Sequence, residues 1–153
     1  MAENKRVNIE QQAIEKFKET ASRYGLVTFK GHGANNRITI GGNVYYQFGD
    51  LRVNTPTRHI IIEAESAGGV TNLVKYWYCL TDENLSKQIE KPIVLLHIFR
   101  QVSPRDYHSP LKLWDFLWDE MQKSVGNRMI ARRYTYRDIS DLKSAIIEFE
   151  SFL

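Results

Sequence analysis

The chain lacks the abundant cysteine and the long apolar runs that identify disulfide-rich and membrane proteins. Its 153 residues include a single cysteine, so an intrachain disulfide is excluded, and Cys79 is interpreted as a buried structural thiol. No apolar run approaches the length of a membrane span, and the polar N-terminus lacks the pattern of a secretory signal. The net charge of +3 permits nucleic-acid binding but does not require it. We therefore expect a cytoplasmic protein with no membrane partner.

Motifs of several common activities are also missing. The sequence has no Walker phosphate loop, no CxxC pair and no nucleophile elbow, which are the usual sequence signs of nucleotide hydrolysis, zinc binding and serine hydrolysis. Hydrophobic residues make up 42% of the chain and aromatic residues 12%, which suffices for one core. We predict a single domain over 1–153, with its core at about 8–100 and peripheral elements at 101–153.

Hydrophobic spacing divides the chain into helices and strands. Apolar residues at helical spacing predict helices at 8–24, 70–80, 110–121 and 139–152. Alternating or continuous apolar residues between turn signals predict strands at 38–40, 43–48, 50–53, 58–65, 93–99 and 128–136. This order predicts an α/β fold, in which a mixed central sheet is flanked by helices.

Three carboxylates fall at one end of the hairpin at 50–65. Asp50 opens the first strand, while Glu63 and Glu65 close the second and share one of its faces. Depending on the turn, Asp50 comes opposite Ile61, Ile62 or Glu63. Converging carboxylates repel each other unless a cation lies between them. The pattern therefore predicts a site for a divalent metal ion.

This arrangement resembles the PD-(D/E)XK nuclease superfamily, whose core has the order αβββαβ. The family signature is an acid at the start of one strand and acid-x-lysine on its neighbour. The resemblance covers residues 8 to about 100 and implies a restriction-endonuclease-like core, followed here by a C-terminal helix, strand and helix. It implies that Asp50 and Glu63 are catalytic and bind Mg²⁺ or Mn²⁺, with the backbone carbonyl of Ala64 as a third ligand. Gly49 stands where the family usually has proline.

The family lysine is replaced by Glu65. The resemblance leaves two interpretations of this lysine-to-glutamate difference. Either Glu65 is catalytic itself, as a base or as a ligand of a second metal ion, or the lysine has moved to Lys75 on the following helix. A solvated Lys75 on the polar helix face is the interpretation that the sequence favours. Members of the family often carry an acid on the first helix, where Glu10 lies slightly closer to the apolar stripe than Glu15. For both of these acids, exposure to solvent is the favoured interpretation.

Arginines alternate with aromatic residues near the C-terminus, at Arg128, Arg132, Arg133 and Arg137. Arginine binds phosphate through two hydrogen bonds, and tyrosine stacks on bases. The segment is therefore interpreted as one wall of a nucleic-acid groove. The alternative is an ordinary edge strand with solvated arginines.

A histidine interrupts the apolar strand at 93–99. His97 is interpreted as a hydrogen-bonded core residue, because buried polar groups are normally paired. Trp114 and Trp118 are interpreted as core residues of one helix face.

The leading hypothesis is a metal-dependent nuclease that acts on DNA as an endonuclease, with RNA as the alternative substrate. One compact domain needs a homodimer to cut both strands of a duplex. The missing lysine motivates the second hypothesis, a catalytically inactive nuclease-fold protein that binds nucleic acid or regulates. The third hypothesis is an unrelated α/β interaction domain whose acids are solvated.

Overall fold

The computed structural model of the chain describes residues 8–65, 69–102 and 108–153. They form a mixed five-stranded sheet with helices packed on both faces, which confirms the predicted α/β class. The elements are α1 (Ile9–Arg23), β1 (Val27–Lys30), β2 (Arg37–Gly41), β3 (Val44–Gln47), β4 (Leu51–Asn54), β5 (His59–Glu65), α2 (Thr71–Thr81), α3 (Glu83–Ile89), β6 (Ile93–Arg100), α4 (His108–Val125), β7 (Met129–Tyr136) and α5 (Lys143–Ser151). Short 3₁₀ turns precede β7 and α5.

The main sheet has the strand order β1-β4-β5-β6-β7. The pairs β1–β4 and β4–β5 are antiparallel, whereas β5–β6 and β6–β7 are parallel. The carboxyl ends of β5, β6 and β7 therefore lie at the same edge of the sheet. All residues of β6 except Arg100 are buried, as expected for a continuous apolar run between two neighbouring strands.

The strands predicted at 38–40 and 43–48 are confirmed, but they lie outside the main sheet. The hairpin predicted at 38–48 forms a separate two-stranded sheet of β2 and β3. The first strand of the main sheet is β1, which the sequence did not predict. Only its two central residues are half-buried, so four residues carry too little alternation to be recognised. The β2–β3 hairpin is thus an insertion between two paired strands, β1 and β4.

A second unpredicted element follows α2. The carboxylate of Asp82 accepts a hydrogen bond from the Leu85 backbone N–H at 2.9 Å, which is the usual side-chain cap of a helix start. It opens the short helix α3, whose Leu85 and Ile89 are buried. The predicted helix at 70–80 is confirmed as α2, but the chain then restarts as a separate helix.

The sheet separates two apolar cores. Helices α1 and α5 cover one face with Phe17 and Phe149, and helices α2, α3 and α4 cover the other. Cys79 is fully buried there, and burial raises the pKa of its thiol to about 11, which confirms the structural interpretation. Trp114 is buried and Trp118 partly buried in the same core. None of the helices in the described segments is long and apolar enough to cross a membrane.

Candidate active site

Asp50 lies immediately before β4 and faces Glu63 across the hairpin. The β4–β5 register selects this pairing from the three that the sequence left open. Oδ2 of Asp50 accepts a hydrogen bond from the Ala64 backbone N–H at 2.8 Å, and Oδ1 accepts one from Nε2 of Gln47 at 2.9 Å. The side chain of Asp50 thus serves as the acceptor for a strand amide, so the sheet itself orients the carboxylate.

Gly49 determines how the chain enters β4. Its φ is +91°, and a Cβ atom there would lie 2.5 Å from Cγ2 of Ile61 and 3.0 Å from the carbonyl oxygen of Leu51. Side chains rarely adopt such a φ, and no atom fits at 2.5 Å from a buried methyl group. Glycine is therefore required at position 49.

Glu63 is a buried carboxylate with only 2% of its surface exposed. Its Oε1 accepts hydrogen bonds from the hydroxyl of Tyr76 at 2.6 Å and from Nζ of Lys75 at 3.0 Å. Burial raises the pKa of Glu63 to about 7; the ammonium of Lys75 opposes this shift and the negative charge of Asp50 adds to it. Burial thus makes the protonated form of Glu63 more favourable than it is in an exposed glutamate.

The sequence interpretation of Lys75 as a solvated lysine is wrong. Its side chain is only 10% exposed, and Nζ donates to Glu63 and to the Gln47 backbone carbonyl at 2.8 Å. Helix α2 packs over the end of β5, which is a tertiary contact that helical periodicity alone does not reveal. An ammonium has three N–H donors, so these two bonds leave one donor for another acceptor.

Glu65 lies on the same face of β5 as Glu63 but binds different partners. Its Oε1 accepts from Nδ2 of Asn72 at 2.5 Å and lies 3.4 Å from Nε2 of His97. Within 8–65, 69–102 and 108–153, no group of three or more His, Cys, Asp or Glu side chains is placed to hold a metal ion. The expected convergence of all three carboxylates on one point is therefore not what the structure shows.

His97 is completely buried and hydrogen-bonded, as predicted. Besides its contact with Glu65, its Nδ1 accepts from Nε1 of Trp114 at 3.0 Å. Burial lowers the pKa of His97, and the hydrogen bond to Glu65 opposes that shift. Burial therefore favours the neutral form of the ring.

An open cavity of about 300 Å³ lies beside Asp50, on the α1 side of the sheet; Glu63 and Glu65 do not line it. It is lined by Asn8, Glu10, Gln11, Ile14, Lys30, Gly31, Asp50 and Ala64. The cavity brings half-buried Glu10 to the same space as Asp50, whereas Glu15 forms an ion pair with Lys30 at 2.6 Å. Glu10 is thus the acid of the first helix that shares a cavity with Asp50.

The donor chemistry of the site fits a hard divalent cation. Asp50 and Glu63 supply carboxylate oxygens, and Ala64 supplies a backbone carbonyl at the same strand end. Oxygen atoms of these kinds are the ligands that Mg²⁺ and Mn²⁺ prefer.

Arg128 has a structural role, because its guanidinium binds the ends of two helices. Its guanidinium donates to the carbonyl oxygens of Leu80 at 2.6 Å, Ser124 at 3.3 Å and Val125 at 3.3 Å. These carbonyls belong to the last turns of α2 and α4. The contact of Arg128 is therefore with two helix ends.

The other arginines of the segment do not form one wall. Arg132 lies 3.1 Å from Glu148 on α5, whereas Arg133 donates two hydrogen bonds to Asp115 on α4, at 2.6 and 2.8 Å. Neighbouring residues of a strand point to opposite faces, so these two guanidinium groups are separated by the sheet. Arg137 is exposed beyond the end of β7. The four arginines therefore do not share one face of the sheet, and their part in nucleic-acid binding stays a prediction.

Sequence reasoning missed three contacting side chains, Gln47, Asn72 and Tyr76. Asn72, Lys75 and Tyr76 have the i, i+3, i+4 spacing of one helix face. A search for polar residues at that spacing after the acidic strand could have found them. Gln47 belongs to the hairpin insertion and has no comparable signal.

No family model, curated protein or solved structure matches the chain. Function is therefore inferred from the chemistry of the site, because a fold by itself does not specify an activity.

Proposed function

We propose that the chain is a divalent-metal-dependent nuclease that hydrolyses phosphodiester bonds of DNA as an endonuclease, with RNA as the alternative substrate. The observation that carries the proposal is the apposition of Asp50 and Glu63 on neighbouring strands, with Nζ of Lys75 3.0 Å from Glu63. Two acids and a lysine are the groups that the PD-(D/E)XK signature combines, although the lysine here comes from a helix.

The element order also supports a restriction-endonuclease-like core. Read along the chain, α1, β1, β4, β5, α2 and β6 follow the order αβββαβ, with the β2–β3 hairpin and α3 as insertions. In this proposal α4, β7 and α5 are peripheral additions.

Each site residue has a role in the proposed reaction. Asp50, Glu63 and the Ala64 carbonyl would hold Mg²⁺ or Mn²⁺, which when bound supplies Lewis acidity and lowers the pKa of a coordinated water. Lys75 uses its remaining N–H donor to stabilise negative charge on the phosphate. Glu65 accepts a proton from the attacking water, since a carboxylate is a suitable general base. Glu10 orients water in the cavity beside Asp50.

Cleavage assays on single- and double-stranded DNA and RNA, with Mg²⁺, Mn²⁺ or EDTA, test the proposal. We expect metal-dependent cutting that falls roughly 100-fold or more in Asp50→Asn and Glu63→Gln, since each replacement keeps the shape and removes the charge. Asp119→Asn, an exposed acid on α4, is the control and should cut like the wild-type protein. Equal cutting by all variants would refute the assignment of the site.

Matched pairs of variants separate the remaining roles. Lys75→Met should lower cleavage at least about 10-fold, whereas exposed Lys87→Met should not. Glu10→Gln should reduce activity more than Glu15→Gln. In Glu65→Lys, a loss of activity would show that the glutamate has a function of its own, and a gain would show that the usual family lysine is tolerated.

A catalytically inactive nucleic-acid-binding or regulatory module is the second candidate. It is favoured by one specific observation: both oxygens of Asp50 and Oε1 of Glu63 already accept hydrogen bonds from the protein. DNA binding without cutting, unchanged in Asp50→Asn, would select this candidate. Absence of both metal binding and nucleic-acid binding would leave an unrelated α/β interaction domain.

A homodimer is part of the proposed endonuclease, because one active site cuts one strand at a time. Light scattering coupled to size-exclusion chromatography, with and without a DNA duplex, measures the mass of the particle. A monomer that nicks one strand would contradict the dimer and leave the nuclease proposal in place.

A further inference from the structure

A chain of buried polar groups connects helix α4 to the candidate site. Nε1 of Trp114 donates to Nδ1 of His97 at 3.0 Å, and Nε2 of His97 lies 3.4 Å from Oε1 of Glu65. Trp114 is 3% exposed and His97 is not exposed at all. The three residues come from α4, β6 and β5, which are far apart in sequence.

The indole determines where the proton of the imidazole lies. An indole N–H donates a hydrogen bond and never accepts one. Nδ1 of His97 must therefore carry the lone pair, which places the proton of the neutral ring on Nε2. That nitrogen points to Glu65, so the imidazole acts as a donor toward the carboxylate.

Glu65 is restrained by donors from two different elements. His97 on β6 and Asn72 in the first turn of α2 both approach Oε1, and the hydrogen bonds that described residues make to Glu65 all fall on this atom. Oε2 is then the oxygen to which none of the described residues donates. The side chain of Glu65 retains 20% exposure, which gives water access to it.

A buried histidine in β6 costs more free energy of folding than an aliphatic residue would at the same position. The six residues Ile93, Val94, Leu95, Leu96, Ile98 and Phe99 are apolar and buried. Replacing a buried polar network by well-packed apolar residues is often neutral or stabilising. A network of this kind is therefore better explained by what it orients than by stability.

We propose that His97 and Trp114 are positioning residues for Glu65 in the nuclease reaction. Trp114 fixes the tautomer of His97, and His97 fixes the rotamer of Glu65, so that Oε2 accepts the proton of the attacking water. This role rests on the proposed function, and it explains how a glutamate at the lysine position of the motif is held ready for catalysis.

The first test is independent of activity and uses two-dimensional ¹H–¹⁵N NMR of histidine-labelled full-length protein. His97, assigned by its absence from His97→Gln, should show the Nε2–H tautomer near pH 7. Trp114→Phe removes the indole donor and should allow a mixture of tautomers. A proton on Nδ1 in the wild-type protein would overturn the proposal, whatever the protein cleaves.

The second test compares two amides in the cleavage assay. The longer side chain of His97→Gln places an N–H donor near the position of Nε2, whereas that of His97→Asn reaches only the position of Nδ1. We expect a kcat loss of about 3-fold for the glutamine variant and at least about 10-fold for the asparagine variant, with KM changed less than 2-fold. Equal kcat in wild type and His97→Asn, at equal folded fraction, would overturn the proposal.

Controls separate positioning from folding and from the proposed function. His59→Gln changes another buried histidine of the same sheet, which contacts the Ile89 carbonyl rather than the site, and it should keep the wild-type kcat. The double variant His97→Asn/Glu65→Gln should be no slower than Glu65→Gln alone, because both changes interrupt one path; additive losses would overturn the proposal. If wild-type protein cleaves nothing, the positioning role falls with the proposed function, while the NMR result still describes the hydrogen-bond chain.

Discussion

The two acids of the candidate site, Asp50 and Glu63, lie in different surroundings. Glu63 is buried against Tyr76 and Lys75, so its charge is disfavoured and its pKa rises to about 7. Asp50 lies at the cavity wall and accepts hydrogen bonds from a backbone amide and from Gln47. The two carboxylates therefore face each other on neighbouring strands, one of them desolvated and the other held by a strand amide.

Gly49→Ala should destabilise the protein strongly. The new Cβ would combine a disfavoured φ with a 2.5 Å contact to Ile61, and we expect a loss of roughly 2–4 kcal/mol in the free energy of unfolding. Gly42→Ala is the matched control, because Gly42 also has a positive φ but no atom within 4 Å of its Cβ position. Urea denaturation should show a loss of about 1 kcal/mol in the control; equal losses in the two variants would contradict the steric reason.

His59 should make the fold sensitive to acid. Burial lowers the pKa of His59 to about 4, and Arg52 and Lys91 add to this effect, whereas the hydrogen bond to Ile89 opposes it. The unfolded chain takes up the proton near pH 6.5 and the folded chain does not. The stabilising contribution is therefore complete above pH 6.5 and is lost as the pH falls toward 4.

Urea denaturation between pH 7.5 and 4.5 measures this effect as a difference between wild type and His59→Gln. We expect wild type to lose roughly 1–2 kcal/mol more than the variant, less than the full 1.36 kcal/mol per pKa unit because pH 4.5 does not reach the folded-state pKa of about 4. The exposed His32→Gln should retain the wild-type slope. Parallel pH profiles for wild type and His59→Gln would exclude His59 as the cause.

At the scale of the elements, periodicity predicted the long segments and failed on the short ones. The strand β6 is recognisable because seven consecutive residues are buried. In contrast, β1 has four residues and α3 has seven, and neither is long enough to establish a period. The turn at Asn54–Thr57 made the β4–β5 hairpin predictable, and with it the proximity of Asp50 and Glu63.

Arg128→Ala should destabilise the protein without a specific effect on nucleic acid. Its guanidinium donates to three carbonyls at the ends of α2 and α4, where positive charge is favourable. We expect a loss of about 1–2 kcal/mol in thermal or urea unfolding. Arg137→Ala, in an exposed position, should change stability by less than about 0.5 kcal/mol. Weaker DNA binding by Arg128→Ala than by Arg137→Ala, at equal folded fraction, would contradict a purely structural role of Arg128.

At the scale of the whole molecule, the site depends on contacts that no local pattern contains. Lys75 reaches Glu63 because α2 crosses the end of β5, and Trp114 reaches His97 because α4 lies over β6. The acids were predictable because they belong to one hairpin. The lysine and the indole were not, because their positions depend on how whole helices pack on the sheet.

Protection from hydrogen exchange should vary across the molecule with the position of each strand. Amides of β6 should exchange most slowly, since the strand is buried between β5 and β7, and those of the β2–β3 hairpin fastest. The hairpin is linked to α3 through hydrogen bonds between Thr39 and Gln88. Mass spectrometry of exchanged peptides measures the difference, and equal protection of the hairpin and β6 would contradict this order.

The hydrogen bond from the Ala64 amide to Asp50 turns a backbone proton into a spectroscopic reporter. Because Oδ2 of Asp50 is its acceptor, the chemical shift of that proton must respond when the carboxylate is protonated or binds a cation. A titration with Mg²⁺ can therefore be followed at one amide signal, before any substrate has been identified.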